Sequence, residues 1–344
     1  MRASIERSLQ CMLAMAISLG AFPFLHSARL QAQDQDAEYV AEMQKAEAAM
    51  SRQQFDEALK SFKRASSLRN KTSPQAHLGA ARAHHSMGAF DKAADSCKEA
   101  VKHSGEDQEL LARIQNQRGL SLFGLSRKPD DKYTREAEVA FRAALAADSR
   151  HLISQFNLGV ALLRQGRDED GVAELNAFVE GAPNAPEVAD ARRFIANPRR
   201  ARENYAPAFT LTTLDERKLT LEDLKGKVVL LDFWATWCGP CRQATPGLKT
   251  LHSKYKDRPF LIVGVSLDSE QTAWRSYVKD NEMEWPQYLD WNRRIAQLFR
   301  VQPIPTYVLL DHEGIVRETR EGWNPSIDGW LDNVVKKYLK AIPE

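Results

Sequence analysis

The run Val228-Val229-Leu230-Leu231-Asp232-Phe233-Trp234, succeeded two residues later by Trp237-Cys238-Gly239-Pro240-Cys241, constrains this chain more than any other feature. A short run of β-branched, aliphatic and aromatic residues is the signature of a strand buried on both faces. The cysteine segment after it reads as a helix start. Gly239 permits a tight entry, and Pro240 lacks an N–H where the first helical turn has no partner for one. Three residues apart on a helix, Cys238 and Cys241 share a face, one turn apart, within reach of a disulfide. At the helix start, unpaired N–H groups and the positive end of the macrodipole favour a thiolate. Lowering a thiol pKa from ~8.5 to ~7 raises its ionised fraction at neutral pH from a few per cent to about half. Cys238 is therefore expected to be the nucleophile and Cys241, deeper, the resolving thiol.

Asp232 interrupts an otherwise apolar strand, where an unpaired carboxylate is expensive to bury. A buried acid with a raised pKa can take the Cys241 proton during attack; the alternative is a strand-end aspartate with a path to solvent. Beyond the cysteines the pattern alternates: a helix from Cys238 to Tyr255, a strand from Phe260 to Leu267, and helices from Gln271 to Asn281 and Arg293 to Phe299. Strands from Thr306 to Leu310 and Ile315 to Thr319 come next, then a last helix from Ser326 to Leu339. This predicts an α/β fold. The tight turn Asp311-His312-Glu313-Gly314 joins two strands directly, so the sheet is expected to be mixed.

At 344 residues the chain is long enough for two domains, and residues 37–200 read differently from the rest. Small residues followed four positions later by larger ones recur on helical segments: Ala58 with Phe62, Ala93 with Cys97, Ala137 with Phe141, Gly171 with Leu175. The spacings are 35, 44 and 34 residues, with the middle excess assigned largely to the polar stretch Ser126 to Thr134. The small residue lets antiparallel helices approach, and the larger one fills the groove on the same face. This resembles the tetratricopeptide repeat, best at Gln155 to Pro183, where Leu158-Gly159, Leu162, Gly171, Leu175 and Pro183 hold marker positions but the Trp and Tyr markers are missing. The resemblance implies an all-α array with a concave surface for a peptide or protein partner; a rigid spacer is the alternative. Residues 186–196 read as a helix covering the open end. Cys97 sits at a packing position and reads as a buried, inert thiol. His84 and His85 point to different helix faces and make a poor metal site.

Before these repeats, Arg2 and Arg7 precede the uncharged apolar run Cys11 to Phe24, with small residues at Ser27, Ala28 and Ala32. That is the layout of a signal peptide over residues 1–32, cleaved near Ala28 to Ala32, with an uncleaved membrane anchor as the alternative. Cleavage would leave Cys97, Cys238 and Cys241, and an exported location suits a redox pair. With 48 basic against 46 acidic residues, the net charge of +2 gives no electrostatic footprint for nucleic acid.

Residues 205–344 read as the second domain, and about 205–342 of it strongly resemble the thioredoxin superfamily, more closely its exported TlpA-like branch of thiol-disulfide oxidoreductases. Besides the cysteine motif, the resemblance rests on Ala206-Pro207-Ala208-Phe209-Thr210-Leu211, Leu224-Lys225-Gly226-Lys227-Val228-Val229-Leu230, Val265-Ser266-Leu267-Asp268 and Ile304-Pro305-Thr306. It implies a cis-proline at Pro305 facing the cysteines, and substrate contacts from Trp237, Gly239, Pro240, Ile304, Pro305 and Thr306. It also implies a protein dithiol or disulfide substrate, an upstream electron donor or acceptor protein, and a lean toward reduction from the Gly-Pro between the cysteines. No organic cofactor or metal is implied. Three rivals are set against it. Zinc lacks ligands, since only His252 and His312 remain in this half. A peroxidase of the peroxiredoxin group needs one cysteine in another setting, and a non-enzymatic adaptor would not need the pair.

Overall fold

The computed structural model describes residues 34–343, in two compact units that divide between Arg202 and Glu203. The expected signal peptide and Cys11 lie outside the described residues.

The first unit is a series of antiparallel helices: α1 (34–51), α2 (Phe55–Leu68), α3 (Pro74–Ser86), α4 (Phe90–His103), α5 (Gln108–Leu125), α6 (Lys132–Ala147), α7 (Leu152–Arg164), α8 (Asp168–Gly181) and α9 (Val188–Ala196). Side-chain caps set several starts. Ser73 accepts from the Ala76 N–H at 3.1 Å, Asp107 from Leu110 at 2.9 Å, and Asp131 from Thr134 at 3.0 Å. Although burial pulls the Asp131 carboxyl up, the N–H groups of Thr134, Arg127 and Lys128 hold it down, at about 2.

The small and large pairs fall on α2, α4, α6 and α8, with Ala58, Phe62, Ala93, Cys97, Ala137, Phe141 and Leu175 fully buried. Glycines on the intervening helices receive three of the four large members. A Cβ on Gly79 would lie 2.2 Å from the Phe62 ring, on Gly119 2.3 Å from Phe141, and on Gly159 2.7 Å from Leu175. Phe62, Phe141 and Leu175 thus press onto bare backbone. The 44-residue spacing has a second source besides the polar loop: α5 is 18 residues long, whereas α3 and α7 have 13. The loop itself ends earlier than expected, because Asp131 caps α6 and brings Lys132 to Thr134 into the helix. Val188 and Ala191 of α9 pack against Leu175 and Phe178 of α8.

The second unit holds a small hairpin, β1 (Thr210–Thr212) with β2 (Lys218–Thr220), and a five-stranded mixed sheet. Along the chain come β3 (Val228–Trp234), α10 (Gly239–Tyr255), β4 (Phe260–Ser266), α11 (Gln271–Asp280), β5 (Gln287–Leu289), α12 (Arg294–Leu298), β6 (Thr306–Leu310), β7 (Val316–Glu321) and α13 (Ile327–Leu339). The order across the sheet is β5-β4-β3-β6-β7, with β3, β4 and β5 parallel, β6 antiparallel to β3, and β7 antiparallel to β6. Central β3 is buried along its whole length. Alternation divides it: Leu230 and Trp234 join the core with α10, α11 and α13, while Val229, Leu231 and Phe233 pack with the α12 side. Each large apolar side chain so buried contributes roughly 1.5–3 kcal/mol.

Two details lie beyond the sequence reading. The strand β1 begins at Thr210, and Tyr205 ahead of it makes only an isolated bridge to Ile315. The edge strand β5 went unread, since three residues carry too little periodicity to register.

Candidate active site

Parallel β3 and β4 end on the same edge of the sheet, and antiparallel β6 begins there, which gathers the residues picked from sequence. Cys238 is the N-cap of α10, in extended conformation. It is bonded to Cys241 as a disulfide with a Cα–Cα distance of 5.3 Å, so the structure shows the oxidised pair. The Cys241 N–H points at Cys238 Sγ from 3.2 Å, the interaction that favours negative charge on that sulfur once it is reduced. Both sulfurs are largely covered, Cys238 at 5% and Cys241 at 3% exposure, while Trp237 beside them is 66% exposed. Gly239 and Pro240 are exposed as well.

Opposite the pair, the Ile304–Pro305 peptide bond is cis, and the Ile304 carbonyl oxygen lies 3.7 Å from Cys238 Sγ. Thr306 opens β6, pairs in register with Phe233 of β3, and donates its hydroxyl to the Pro303 carbonyl at 2.7 Å. The Pro305 carbonyl accepts from the Gly322 N–H at 2.7 Å. Pro305 and Thr306 are thus held from both sides, with half-buried Ile304 beside the cysteine.

Asp232 is 2% exposed, and burial pushes its carboxyl up to about 7. It shares the face of Leu230 and Trp234, the one covered by α10 and by Cys241. Among the described residues its carboxyl has no hydrogen-bond partner. Burial, with no partner to hold the charge, is what raises the pKa of this acid.

Sequence reasoning did not single out Asp268. This buried carboxylate accepts from the Thr236 N–H at 3.0 Å, from the Thr236 hydroxyl at 2.7 Å and from the Ser266 hydroxyl at 2.7 Å. It ties the loop between β3 and Cys238 to the end of β4. The signal was a second carboxylate directly after an apolar strand, in Val265-Ser266-Leu267-Asp268. Elsewhere, Cys97 is a free, fully buried thiol that burial pushes up to about 12 against the pull of Arg118, which leaves it inert. No cluster of three or more His, Cys, Asp or Glu able to hold a metal exists among the described residues.

Comparison with known proteins agrees with this geometry. A model of the AhpC/TSA family matches residues 203–319, and a tetratricopeptide repeat model matches 43–108 and 134–186. The chain is 35% identical over 131 residues to the thiol-disulfide oxidoreductase ResA of Bacillus cereus, covering 38% of this chain and 76% of the relative. It is 34% identical over 137 residues to ResA of Bacillus subtilis, covering 40% and 73%. It is also 36% identical over 120 residues to the thioredoxin-like protein YneN of Bacillus subtilis, covering 34% and 69%. A chain so related over three-quarters of a relative, with a disulfide across its two motif cysteines, belongs to the thioredoxin-fold thiol-disulfide oxidoreductases, here joined to tetratricopeptide repeats.

Proposed function

We propose that this enzyme reduces protein disulfides outside the cytoplasm, with Cys238 as nucleophile, Cys241 as resolving thiol and Asp232 as acid and base. The observation that carries this reading is the position of Cys238 Sγ, at the start of α10 and 3.7 Å from the Ile304 carbonyl beside Pro305. In the reduced enzyme the Cys238 thiolate attacks a substrate disulfide laid along the backbone of Ile304, Pro305 and Thr306, with Trp237, Gly239 and Pro240 forming the opposite rim. One substrate sulfur leaves as a thiolate and the other stays in a mixed disulfide with Cys238. Cys241 then yields its proton to Asp232 and attacks Cys238 Sγ, and the second substrate thiol is released. An upstream donor protein returns the pair to the dithiol.

Two finer elements belong to the same proposal. The repeats hold a protein partner, as tetratricopeptide stacks do. The basic and apolar pattern of residues 1–32 directs export, with cleavage near Ala28 to Ala32; no helix among the described residues is long and apolar enough to cross a membrane. The test is trapping. Reduced Cys241→Ser protein mixed with a disulfide-bonded protein should accumulate a mixed disulfide through Cys238, seen by mass spectrometry. A Cys238→Ser protein should form none, and an adduct through Cys241 instead would reverse the assigned roles.

A further inference from the structure

One row across the sheet is polar from edge to edge, apart from a glycine. Gln287 on β5 is in register with Gly264 on β4, Gly264 with Asp232 on β3, Asp232 with Tyr307 on β6, and Tyr307 with Arg320 on β7. Register partners present their side chains to the same face. This is the face of Leu230, Ile262 and Leu309, deep in the core with α10 and α13.

Polar groups in such a place are expensive unless they are paired, yet two members of the row carry buried donors without a partner: Gln287 Nε2 and the Tyr307 hydroxyl. They stand on either side of Asp232. A donor left unmade in the interior costs about 1–3 kcal/mol, and two of them flanking the one buried carboxyl of this row call for a use.

Gly264 supplies the room. A Cβ there would lie 2.1 Å from Gln287 Oε1, so the glutamine side chain lies over the glycine that separates it from Asp232. The Trp234 indole N–H donates to Gln287 Oε1 at 3.3 Å, which fixes the amide with Nε2 as its uncommitted end. On the other side, burial first and then the charges of Asp232 and Asp328 raise the Tyr307 pKa. The charged and titratable groups around Asp232 and its neighbour Tyr307 are Cys241 from α10, in the same core, Asp328 from α13, whose charge acts on Tyr307, and, at the end of the row, Arg320, stacked on Trp330 at 5.0 Å. From β4 there is only Gly264.

We propose that Gln287 and Tyr307 are positioning residues for the proton transfer from Cys241 to Asp232, donating to the Asp232 carboxylate directly or through a water, with Gly264 bare so that Gln287 can reach across. This rests on the assignment of Asp232 as the base. The step is balanced: the Cys241 S–H proton passes to the carboxylate, a Cys238–Cys241 S–S bond forms, the mixed disulfide breaks, and the leaving sulfur takes a proton from solvent.

The experiment uses the full chain, reduced and mixed with an aromatic disulfide such as 5,5′-dithiobis(2-nitrobenzoate). Attack by Cys238 releases the first chromophoric thiol, and attack by Cys241 releases the second. Tyr307→Phe and Gln287→Leu should each move the pH midpoint of the second phase up by about one pH unit, the effect of one hydrogen bond to a charge. Near pH 6 that phase should slow roughly tenfold, with the first phase unchanged. Gly264→Ala, which displaces Gln287, should act in the same direction. In an Asp232→Asn background none of these substitutions should alter the second phase further. An unmoved midpoint, or the same slowing in the Asp232→Asn background, overturns the proposal and assigns the row to packing. Absence of a second phase in the unsubstituted protein removes the resolving role of Cys241, and the proposal with it.

Discussion

At the scale of single residues, the site is a set of expensive placements around two sulfurs. The cysteine pair was legible because spacing and helix-start chemistry confine it to one geometry, and the disulfide between them has that geometry. Asp232 was legible as an anomaly in an apolar strand. Gln287 and Tyr307 were not, because an ordinary glutamine and tyrosine acquire meaning only from cross-strand register. Asp232 also makes stability depend on pH. Its carboxyl is pushed from an ordinary 3.8 to about 7 in the fold. Below pH 4 folded and unfolded chains are both protonated and the burial carries no penalty. As pH rises toward 7 the unfolded chain ionises first, so stability falls, by roughly 4 kcal/mol once past pH 7. Asp232→Asn should therefore melt higher than the unsubstituted protein at pH 8, with the gap closing by pH 4; a gap independent of pH would contradict an enclosed acid. Asp268→Ala removes three charge-assisted bonds from the loop before Cys238. It should lower stability by about 3 kcal/mol in chemical denaturation, and slow the reaction with small disulfides.

Among the elements, the long strands and helices of the redox domain follow directly from composition. β3, β4 and β6 are apolar runs bounded by breaks, and α10 and α13 carry apolar residues at helical spacing. Short elements escaped: β1, β2 and β5 have three residues each, and pairing with a neighbour, not local pattern, makes them strands. In the repeats the small and large alternation was readable, but its counterpart was not. The rings of Phe62 and Phe141 lie on Gly79 and Gly119, each on an adjacent helix. Gly119→Ala places a methyl 2.3 Å from the Phe141 ring, and overpacking of this kind destabilises by about 1–3 kcal/mol. A thermal melt should show the repeat unit unfolding earlier, while the reaction of Cys238 with small disulfides is unchanged. Equal loss in both would contradict the division of labour between the two units.

For the whole molecule, the proposed function gives chemistry and recognition to separate parts of the chain: dithiol exchange after Glu203 and, as proposed, partner binding by the helices before it. The composition shift near residue 200 made that division readable, whereas nothing in the sequence names the partner, because a repeat surface is specified by scattered side chains from several helices. The central claim is that Cys238 and Cys241 form a reversible pair poised to reduce other proteins. Its most direct test is the reduction potential of that pair in the full chain, equilibrated against glutathione and dithiothreitol mixtures. The account predicts a value near ~ −270 mV, that of a reductant supplied by an upstream donor. A value near ~ −120 mV would make the protein a disulfide donor and contradict the proposed direction, and failure to form the disulfide at all would contradict the chemistry itself.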